Sequence, residues 1–506
     1  MNNKKIVIVG GGAAGWATAL MVNKKMPSLD ITLVESTEIG ILGAGEGTVT
    51  NFMLFLQYVD IDLPEFFKKT GSTFKNGAKF TNWNNDGKFF YHNFSADSVL
   101  PGDDAFFKYN VSSMLNMANE VESQDFDLVS FANNNNKSLM FQQNNTINQV
   151  GQPTVHFDAQ LLAQFLKEKA LARGVKRVEG KVSSISNNDN NYIKSIHVGD
   201  TTLNADFVFD CTGFARLIIG DHYKTKWNSY SDYLPVNSAV PFFLDIDKDK
   251  IEPYTEAIAM KHGWMWKVPL QHRYGCGYAF DSQYISEDEA MKEIEEYLGM
   301  VPFYPRKDKG PLKFNTGCFE NSWVKNCIAI GLSAGFVEPL EATSLYTVLE
   351  FLKDSLSDLE SLFECDERHI NDFNNRWRIF NDDIMNFIYF HYITKRDDTL
   401  FWKKFGEIDN APQFVKDILN KWEYSIPRHD HFNVNYPFRY QNWIEVGYGL
   451  GLINMDLIKK SAEINNFKKD YDDKLIELKN QSKYIAENLL IDHATFLKAL
   501  VAKYDS

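Results

Sequence analysis

The chain has 506 residues, of which 44% are hydrophobic and 14% aromatic, so it carries enough apolar side chains for a large folded core. This composition excludes a collagen, a disordered chain and a small disulfide-stapled protein. The net charge of −14 argues against general nucleic-acid binding, because an acidic surface repels phosphate backbones. No apolar run of about 18 or more residues predicts a membrane span, and the N-terminus lacks the pattern of a secretory signal.

The five cysteines are far apart in the sequence, and no pair has C-x-x-C spacing. They are Cys211, Cys276, Cys318, Cys327 and Cys365. This pattern favours neither a zinc site nor a disulfide framework. We therefore expect reduced thiols, no metal site and a cytoplasmic location.

A β-turn-α-β unit of about 30 residues opens the chain. Residues 5–9 read KIVIV and predict a buried strand, which a glycine-rich turn at 10–15 follows. The next ten residues have helical spacing, and residues 30–35 (DITLVE) predict a second buried strand.

Apolar runs and alternating patterns predict the remaining elements. The predicted strands are Phe74–Phe80, Arg177–Ile185, Tyr192–Val198 and Asp206–Asp210, and the predicted helices are Asp158–Arg173, Glu287–Tyr297 and Thr343–Phe363. A loop or small excursion is expected over Asp125–Asn148, where Asn133–Asn136 and other polar residues cluster, and a charged helical cap from about Leu457 onward.

The glycine-rich turn has the spacing Gly10-x-Gly12-x-x-Gly15, which in this strand-to-helix context indicates a dinucleotide site. Gly10 permits a tight turn, Gly12 lets the backbone approach a pyrophosphate, and Gly15 lets helix and strand pack closely. Glu35 ends the next strand and is placed to accept the ribose hydroxyls. The alternative is a plain βαβ turn that binds no ligand.

Two distant segments favour a flavin over a nicotinamide cofactor. Phe207–Gly213 and Cys327–Gly331 each carry a short apolar strand that ends in a turn or before a helix, and extended FAD folds return such strands to the nucleotide. A second Gly-x-Gly-x-x-Gly unit for NADPH is not evident in the sequence. The electrons that reduce FAD are therefore expected to come from another protein.

Residues 263–269 read Gly-Trp-Met-Trp-Lys-Val-Pro, and Trp264 and Trp266 fall on one face of an extended segment. Core packing is the simplest explanation for two tryptophans. The segment nevertheless resembles the W-x-W-x-I-P hallmark of the flavin-dependent tryptophan halogenases, with Val268 in place of isoleucine. Other segments that resemble this family are Gly43–Asn51, Val155–Ala159 and Thr394–Trp402.

The resemblance implies an α/β fold with an FAD-binding Rossmann-like core of the glutathione-reductase/hydroxylase type and a second, mostly helical substrate-side region. We expect a discontinuous core over 1–345, with a substrate-facing sheet and an insertion around 80–150, and a helical region over 346–506 that covers the substrate site. Family members receive FADH2 from a separate flavin reductase and halogenate a small aromatic substrate with chloride, bromide or iodide. Neither nucleic acid nor a membrane is implied, and a homo-oligomer is left open.

In this family, hypohalous acid made beside the flavin passes through an internal tunnel to a buried lysine, which Lys75 matches. A continuous strand would place Lys75, Gly77 and Lys79 on one face, with the two lysines about 13 Å apart. Two surface lysines are the alternative, because lysines are rarely buried. Lys75 would either donate a hydrogen bond to hypohalous acid or form a haloamine.

Glu341 matches the family's catalytic carboxylate, which helps to remove the ring proton from the substrate. It follows Glu338 and Pro339 at the start of a predicted helix, where an acid ordinarily caps the helix or stabilises its dipole. Both interpretations are therefore open for Glu341.

The same helix start has unpaired N–H groups near Thr343 and Ser344, which suit a halide ion. The family pattern here is F-x-x-P-x-x-S-x-G, and this chain carries Ala342 and Ser344 at its last two signature positions. Halide preference is therefore left open. The resemblance assigns the following residues to the cofactor: Gly10, Gly12, Ala13, Ala14, Gly15, Glu35, Ala44, Glu46, Val182, Gly331, Leu332 and Leu345.

His92 and Phe94 match residues that, with Glu341, contact the aromatic substrate, and a core histidine is the alternative. Trp264 and Trp266 are implied to keep the substrate away from the flavin.

The stretch that grips the amino-acid end of free tryptophan is shortened, because Phe438 is followed almost directly by Asn442. We therefore expect a decarboxylated, fused or otherwise modified indole, or a phenol.

Two other functions are left open. A flavin monooxygenase that hydroxylates its substrate would need that substrate beside the flavin, and would leave Lys75 and Glu341 without a role. A non-catalytic flavin-fold binding protein is favoured only by the changes at Ala342 and Ser344.

Overall fold

The computed structural model describes residues 4–38, 40, 45–93, 128–144, 146–432, 437–464 and 467–504. Ala44 and Phe94 lie outside the described residues. The chain forms two compact units, each assembled from three separate stretches. The first unit comprises 1–72, 157–234 and 313–382, and the second comprises 73–156, 235–312 and 383–506. The expected division at residue 345 stays a prediction.

A six-stranded sheet forms the centre of the first unit. From edge to edge, its strands are Lys176–Glu179, Asp30–Glu35, Lys5–Val9, Phe207–Asp210, Cys327–Ala329 and Trp323–Val324. The first five run parallel, and the sixth is antiparallel to its neighbour. The central strands are rich in apolar and β-branched residues and are buried on both faces, as a parallel sheet covered by helices requires. The predicted α/β, Rossmann-like class is therefore confirmed.

Helices and smaller sheets complete the first unit. The α-helices are Ala13–Lys25, Asn51–Tyr58, Leu63–Thr70, Ala159–Ala172, Thr343–Ser355 and Leu359–Glu364, and Leu217–His222 is a π-helix. The small strands are Glu46–Gly47, Val182–Asn187, Ile193–Val198, Thr201–Asn204, Trp227–Ser229, Gly317–Phe319 and Gly335–Phe336. Strand Thr154–Phe157 and helix Glu367–Phe390 carry the chain from one unit to the other.

A seven-stranded, mostly antiparallel sheet forms the centre of the second unit. Its strands, in order, are Leu312–Lys313, Ser238–Leu244, Tyr274–Phe280, Gly263–Pro269, Tyr254–Met260, Gly77–Thr81 and Phe89–Asn93. The other strands are Thr73–Lys75, Lys137–Gln143, Thr146–Gln149 and Leu490–Asp492. The α-helices are Leu128–Asn134, Glu287–Leu298, Leu400–Gly406, Gln413–Trp422, Tyr440–Gly449, Met455–Ile464, Phe467–Asn488 and His493–Ala502.

The predicted strand Phe74–Phe80 is wrong as a single element. Thr73–Lys75 pairs with Thr154–Phe157, whereas Gly77–Thr81 belongs to the seven-stranded sheet. Asn76 interrupts the extended segment between these two strands, and we call this interruption the strand break. The break arises because the Asn76 N–H donates to the Pro253 carbonyl at 2.6 Å instead of continuing either ladder. Lys75 and Lys79 therefore do not share one strand face.

The stretch 125–148, predicted as a loop or small excursion, is not a loop in the part that the structure describes but a small excursion with regular elements. Leu128–Asn134 is a helix, and Lys137–Gln143 and Thr146–Gln149 form a hairpin. Val129, Phe131 and Leu139 pack with apolar residues near 486–490, a partner that lies far away in the sequence. The polar residues of this stretch predict a loop, whereas its apolar residues in fact pack one face of an amphipathic helix and hairpin against a distant part of the chain.

Two predicted elements are interrupted. Gly180, with a φ of +142°, separates the strands Lys176–Glu179 and Val182–Asn187. The predicted helix 343–363 is two helices, because Asp358 caps a new one by accepting a hydrogen bond from the Ser361 N–H at 3.1 Å. No helix within the described ranges has the length and apolarity that crossing a bilayer requires.

The glycine turn predicts a contrast in stability between two alanine variants. A Cβ at Gly15 would lie 1.9 Å from the Gly10 carbonyl oxygen, whereas a Cβ at Gly12 would meet nothing within 4 Å. Gly15→Ala should therefore lower the free energy of unfolding by about 1–3 kcal/mol, because backbone must shift to admit the methyl group. Denaturant titration of the ligand-free protein measures this change. Gly12→Ala is the matched control and should unfold like the wild type.

Candidate active site

The glycine turn of the first unit has the geometry of a phosphate-binding turn. Gly10 adopts a φ of +123°, and a Cβ there would lie 2.0 Å from the Cys211 carbonyl oxygen. Helix Ala13–Lys25 begins after Gly12 without any side-chain cap, so its first N–H groups are available to an anion. Because the space beside Gly12 is open, the turn fits the pyrophosphate of a dinucleotide.

Glu35 lies at the end of its strand and bonds to two cations. Its carboxylate accepts hydrogen bonds from Lys167 and Arg177, each at 2.5 Å. Burial alone would raise the pKa of Glu35, but these two partners lower it below its ordinary value. Glu35 is therefore held ionised, which leaves both carboxylate oxygens as acceptors for hydroxyl groups.

Buried Asp210 organises the turn that follows the strand Phe207–Asp210. Its carboxylate accepts hydrogen bonds from the N–H groups of Thr212, Ile218 and Ile219 at 2.9–3.0 Å. Burial raises the pKa of Asp210, while these bonds oppose the rise. The sequence pattern predicts the strand that carries this carboxylate but gives no local signal for the role of the carboxylate itself.

The other residues assigned to the cofactor are spread over the first unit. Gly331, with a φ of +76°, approaches Ala14, since a Cβ on Gly331 would lie 3.1 Å from the Ala14 Cβ. Leu332 follows in the same short 3₁₀ helix. Val182 begins a strand of a separate three-stranded sheet, and Leu345 is buried in helix Thr343–Ser355. Gly331 is thus placed directly against the helix that follows the glycine turn.

Glu46, in the short strand Glu46–Gly47, has a strongly perturbed carboxyl. Burial, followed by the nearby Asp158 carboxylate, raises the pKa of Glu46 to about 7. Asp158 itself is fixed because it caps helix Ala159–Ala172 through the Gln160 and Leu161 N–H groups. Glu46 is therefore a carboxyl that changes its charge near neutral pH.

Glu341 is buried in a strained backbone. Its φ is +69° and that of Ala342 is +55°, so two consecutive residues other than glycine adopt the left-handed conformation. Such conformations cost about 1–3 kcal/mol each and occur most often at functional sites. These two residues directly precede helix Thr343–Ser355, and the start of that helix has no side-chain cap.

Thr343 and Ser344 form the first turn of that helix. The Thr343 side chain is 1% exposed, and its hydroxyl oxygen has no hydrogen-bond partner among the described residues. Ser344 is partly exposed. An uncapped helix start beside an unpartnered hydroxyl fits an anion, because both offer donors.

Lys75, in the second unit, is 1% exposed, which excludes an ε-amine that points into bulk water. Lys75 ends the strand Thr73–Lys75 and lies opposite Thr154. Lys79, by contrast, lies 3.6 Å from Glu256 and 4.0 Å from the ring centre of Phe89, which is a structural role.

Two histidines beside the lysine strand are buried and neutral. Thr73 donates its hydroxyl proton to the Pro269 carbonyl at 2.7 Å and therefore accepts from His156 Nδ1 at 2.9 Å. Burial, then the charges of Lys75 and His493, hold the pKa of His156 well below its usual range.

His493 begins the last helix, accepts the Phe74 N–H at 3.1 Å through Nε2, and donates through Nδ1 to the Ile251 carbonyl at 2.9 Å. Burial lowers its pKa to about 4. No local signal in the sequence would have identified these roles.

His92 is fully buried in the strand Phe89–Asn93. Its Nε2 accepts a hydrogen bond from the Asn442 amide at 2.9 Å, and its ring lies edge-on to Phe387 at 5.7 Å. The Phe387 ring stacks on Phe438 with 3.9 Å between ring centres. His92, which the sequence predicts to contact the substrate, therefore lies in a cluster of aromatic side chains.

Trp264 and Trp266 lie on the strand Gly263–Pro269, with their ring centres 6.0 Å apart. Trp264 is 2% exposed, whereas Trp266 is partly exposed and covers Gly277 on the neighbouring strand. A Cβ at Gly277 would lie 2.2 Å from the Trp266 ring, so glycine is required there.

The predicted residues divide between the two units. Lys75, His92 and both tryptophans belong to the second unit, whereas the glycine turn, Glu46, Glu341 and the helix start at Thr343 belong to the first. A parallel sheet with strands that return from far along the chain, a glycine turn and an uncapped helix are the features of a dinucleotide-binding α/β protein.

Comparison with known proteins identifies the family. The family model described as tryptophan halogenase matches residues 5–463, and the chain belongs to this family. The chain is 31% identical over 442 residues to the tryptophan 7-halogenase RebH of Lentzea aerocolonigenes, covering 82% of this chain and 81% of that protein. It is 30% identical over 453 residues to the tryptophan 6-halogenase SttH of Streptomyces toxytricini, covering 84% and 85%.

A solved structure agrees with this assignment. Xcc4156, a flavin-dependent halogenase from Xanthomonas campestris, is similar with a TM-score of 0.83 and 28% identity, covering 99% of both chains. The protein is therefore a flavin-dependent halogenase, and the predicted family is confirmed.

The raised pKa of Glu46 predicts a pH-dependent effect of Glu46→Gln on stability. Protonated Glu46 stabilises the fold fully below about pH 4.5, and this contribution is lost as the pH rises through about 7. The free energy of unfolding of Glu46→Gln, measured relative to that of the wild type, should therefore be about 2–3 kcal/mol higher at pH 8 than at pH 5. Denaturant unfolding of the flavin-free protein at both pH values measures the gain.

The control for this test is Asp158→Asn, which keeps a helix-capping side chain and removes the neighbouring charge. In that background, the effect of Glu46→Gln should shrink. An equal effect of Glu46→Gln at pH 5 and pH 8 would contradict the assigned pKa.

Proposed function

We propose that the protein halogenates an aromatic, indole-like or phenolic substrate with hypohalous acid that is delivered to Lys75, while Glu341 assists deprotonation of the ring. The observation that carries this proposal is the burial of Lys75, because a lysine is rarely placed out of water without a chemical or structural need. Its neighbour His156 is held neutral, so it does not pair with the lysine as a counter-ion.

The first unit would hold FAD. Gly10, Gly12 and Gly15 would admit the pyrophosphate, the start of helix Ala13–Lys25 would stabilise its charge, and Glu35 would accept the ribose hydroxyls. Reduced flavin, supplied by a separate reductase, would provide with O2 the two-electron oxidation of halide to hypohalous acid, with water as the second product.

Thr343 and Ser344 would bind the halide at the start of their helix. The unpartnered Thr343 hydroxyl and the uncapped N–H groups supply donors, and the positive end of the helix dipole favours an anion. The ion would thereby be held away from water until it is oxidised.

Lys75 would hold the oxidant either by a hydrogen bond from its ammonium group or as a haloamine. From hydrogen-bonded hypohalous acid, the ring carbon of the substrate bonds to the halogen and the oxygen leaves as water. From a haloamine, water has left when the nitrogen–halogen bond formed, and the lysine amine is the leaving group. In both routes the ring proton is released. Glu341 is the proposed acceptor of that proton, and its strained backbone would fix the carboxylate direction.

His92 would contact the aromatic ring of the substrate, while Trp264 and Trp266 would separate that substrate from the flavin. The names of the relatives include tryptophan as substrate. The short stretch between Phe438 and Asn442 favours a decarboxylated, fused or otherwise modified indole, or a phenol, over free tryptophan.

The variant Lys75→Ala tests the proposed delivery of hypohalous acid. Halogenated product should fall by about 10²-fold or more, because the oxidant loses its positioned holder, while flavin oxidation continues. The assay supplies FADH2 through a generic reductase, with O2, each halide in turn and a panel of indoles and phenols, and mass spectrometry detects the exchange of hydrogen for halogen.

Lys79→Ala is the matched control, since that lysine pairs with Glu256, and it should retain product formation. Normal halogenation by Lys75→Ala would refute the assignment. An added oxygen in place of halogen would identify a monooxygenase, and no turnover with any substrate would favour a binding protein.

Ser344→Gly tests the halide site. Removing the side chain should let the backbone approach the ion and lower the KM for chloride by about fivefold, equivalent to about 1 kcal/mol. Steady-state kinetics at varied chloride measures this change. Ser357→Gly, beyond the other end of the helix, is the control and should leave the KM unchanged. An unaltered KM in Ser344→Gly would contradict a halide site at this helix start, and a raised KM would show that the Ser344 hydroxyl itself contacts the ion rather than obstructing it.

A further inference from the structure

Lys75 directly precedes the strand break at Asn76, and the strand that follows this break pairs with the strand that carries His92. Lys75 ends the strand before the break. After it, Gly77–Thr81 pairs with Phe89–Asn93, so that Ala78 lies opposite His92. The angle of the chain at Asn76 therefore sets where the lysine lies relative to the histidine.

A short series of buried amides fixes that angle. The Asn76 Nδ2 group donates to Asn133 Oδ1 at 3.1 Å, and Asn133 Nδ2 donates to Asn93 Oδ1 at 3.2 Å. Asn76 and Asn133 are each 1% exposed, and Asn93 is 9% exposed. Asn133 thus connects the residue after Lys75 with the residue after His92.

Further bonds hold both ends of this series. Asn93 donates through Nδ2 to the Ser130 hydroxyl at 3.0 Å, and its N–H donates to Glu445 at 3.2 Å. Asn76 Nδ2 also reaches the Lys137 carbonyl at 3.2 Å. Asn133 and Ser130 lie on the same helix, Leu128–Asn134, which therefore anchors the whole arrangement.

We propose that Asn133 is a positioning residue that determines which ring carbon of the substrate is halogenated. The inference rests on the proposed function, in which Lys75 delivers the halogen and His92 contacts the ring. Adjacent ring carbons are one bond length apart, and a displacement of about 1 Å already changes reactivity strongly. A change in the angle at Asn76 therefore moves the halogen from one carbon toward the next.

The experiment compares Asn133→Ala, Asn76→Ala and wild type with indole and bromide as probes. The protein is the full chain with FADH2 from a generic reductase. Chromatography and NMR give the ratio of bromoindole isomers. Both variants should change this ratio by about threefold or more, because each loses a bond that fixes the break.

Asn135→Ala is the matched control, because Asn135 belongs to the same run of asparagines but is exposed, and its side-chain amide donates to the Phe131 carbonyl of its own helix turn. It should give the wild-type isomer ratio. A purely structural role for Asn133 would lower the melting temperature and yield without changing the ratio, which would overturn the inference.

If Asn133→Ala does not fold, Asn76→Ala decides the question, since it removes the same bond from the other side. If Lys75→Ala abolishes bromination and Asn76→Ala leaves the isomer ratio unchanged, the inference about Asn133 is rejected while the proposed function stands. Bromination that persists in Lys75→Ala would reject the proposed function, and the inference with it.

Discussion

The burial of the Lys75 amine is the physical constraint that the side chains around it in the second unit must accommodate. Taking an ammonium group out of water costs several kcal/mol even after the protein relaxes, so its surroundings must either offset this cost or favour the neutral amine. His156 lies in the field of this lysine and is itself buried and neutral. Threonine hydroxyls occupy both of its ring nitrogens, which leaves it no role as a proton acceptor from the lysine.

The first unit meets a different constraint, the placement of anions. An uncapped helix start, glycines where Cβ atoms would clash and a carboxylate held ionised by two cations are together suited to a dinucleotide. At Glu341 and Ala342 the backbone itself is strained, and the following helix begins without a cap. Strain and uncapped donors both reduce stability, and proteins retain such features where ligands use them.

The parts that the sequence predicted are those with local causes. The strands KIVIV and DITLVE, the glycine turn and helix Ala159–Ala172 each follow from a pattern within a few residues. The break at Asn76 and the helix Leu128–Asn134 could not be predicted, because their partners lie far away in the chain. The same holds for His493, which bonds to a residue 419 positions earlier. Resemblance to a family supplied Lys75 and Glu341, which composition and spacing alone would have left as a surface lysine and a helix cap.

The amides of the Asn76–Asn133–Asn93 series and His493, which bond to the lysine strand or to its continuation, do not change charge near neutral pH. The Asn76–Asn133–Asn93 series carries only amides, and burial lowers the pKa of His493 to about 4. Charged neighbours would interact with the buried amine strongly, since the local dielectric is low, and would couple its reactivity to pH. Asp492 and Glu252 are the charges that reach His493, and both only partly oppose the effect of burial on it. Uncharged hydrogen bonds instead fix geometry without placing a further charge beside the amine, which is consistent with the role proposed for Lys75.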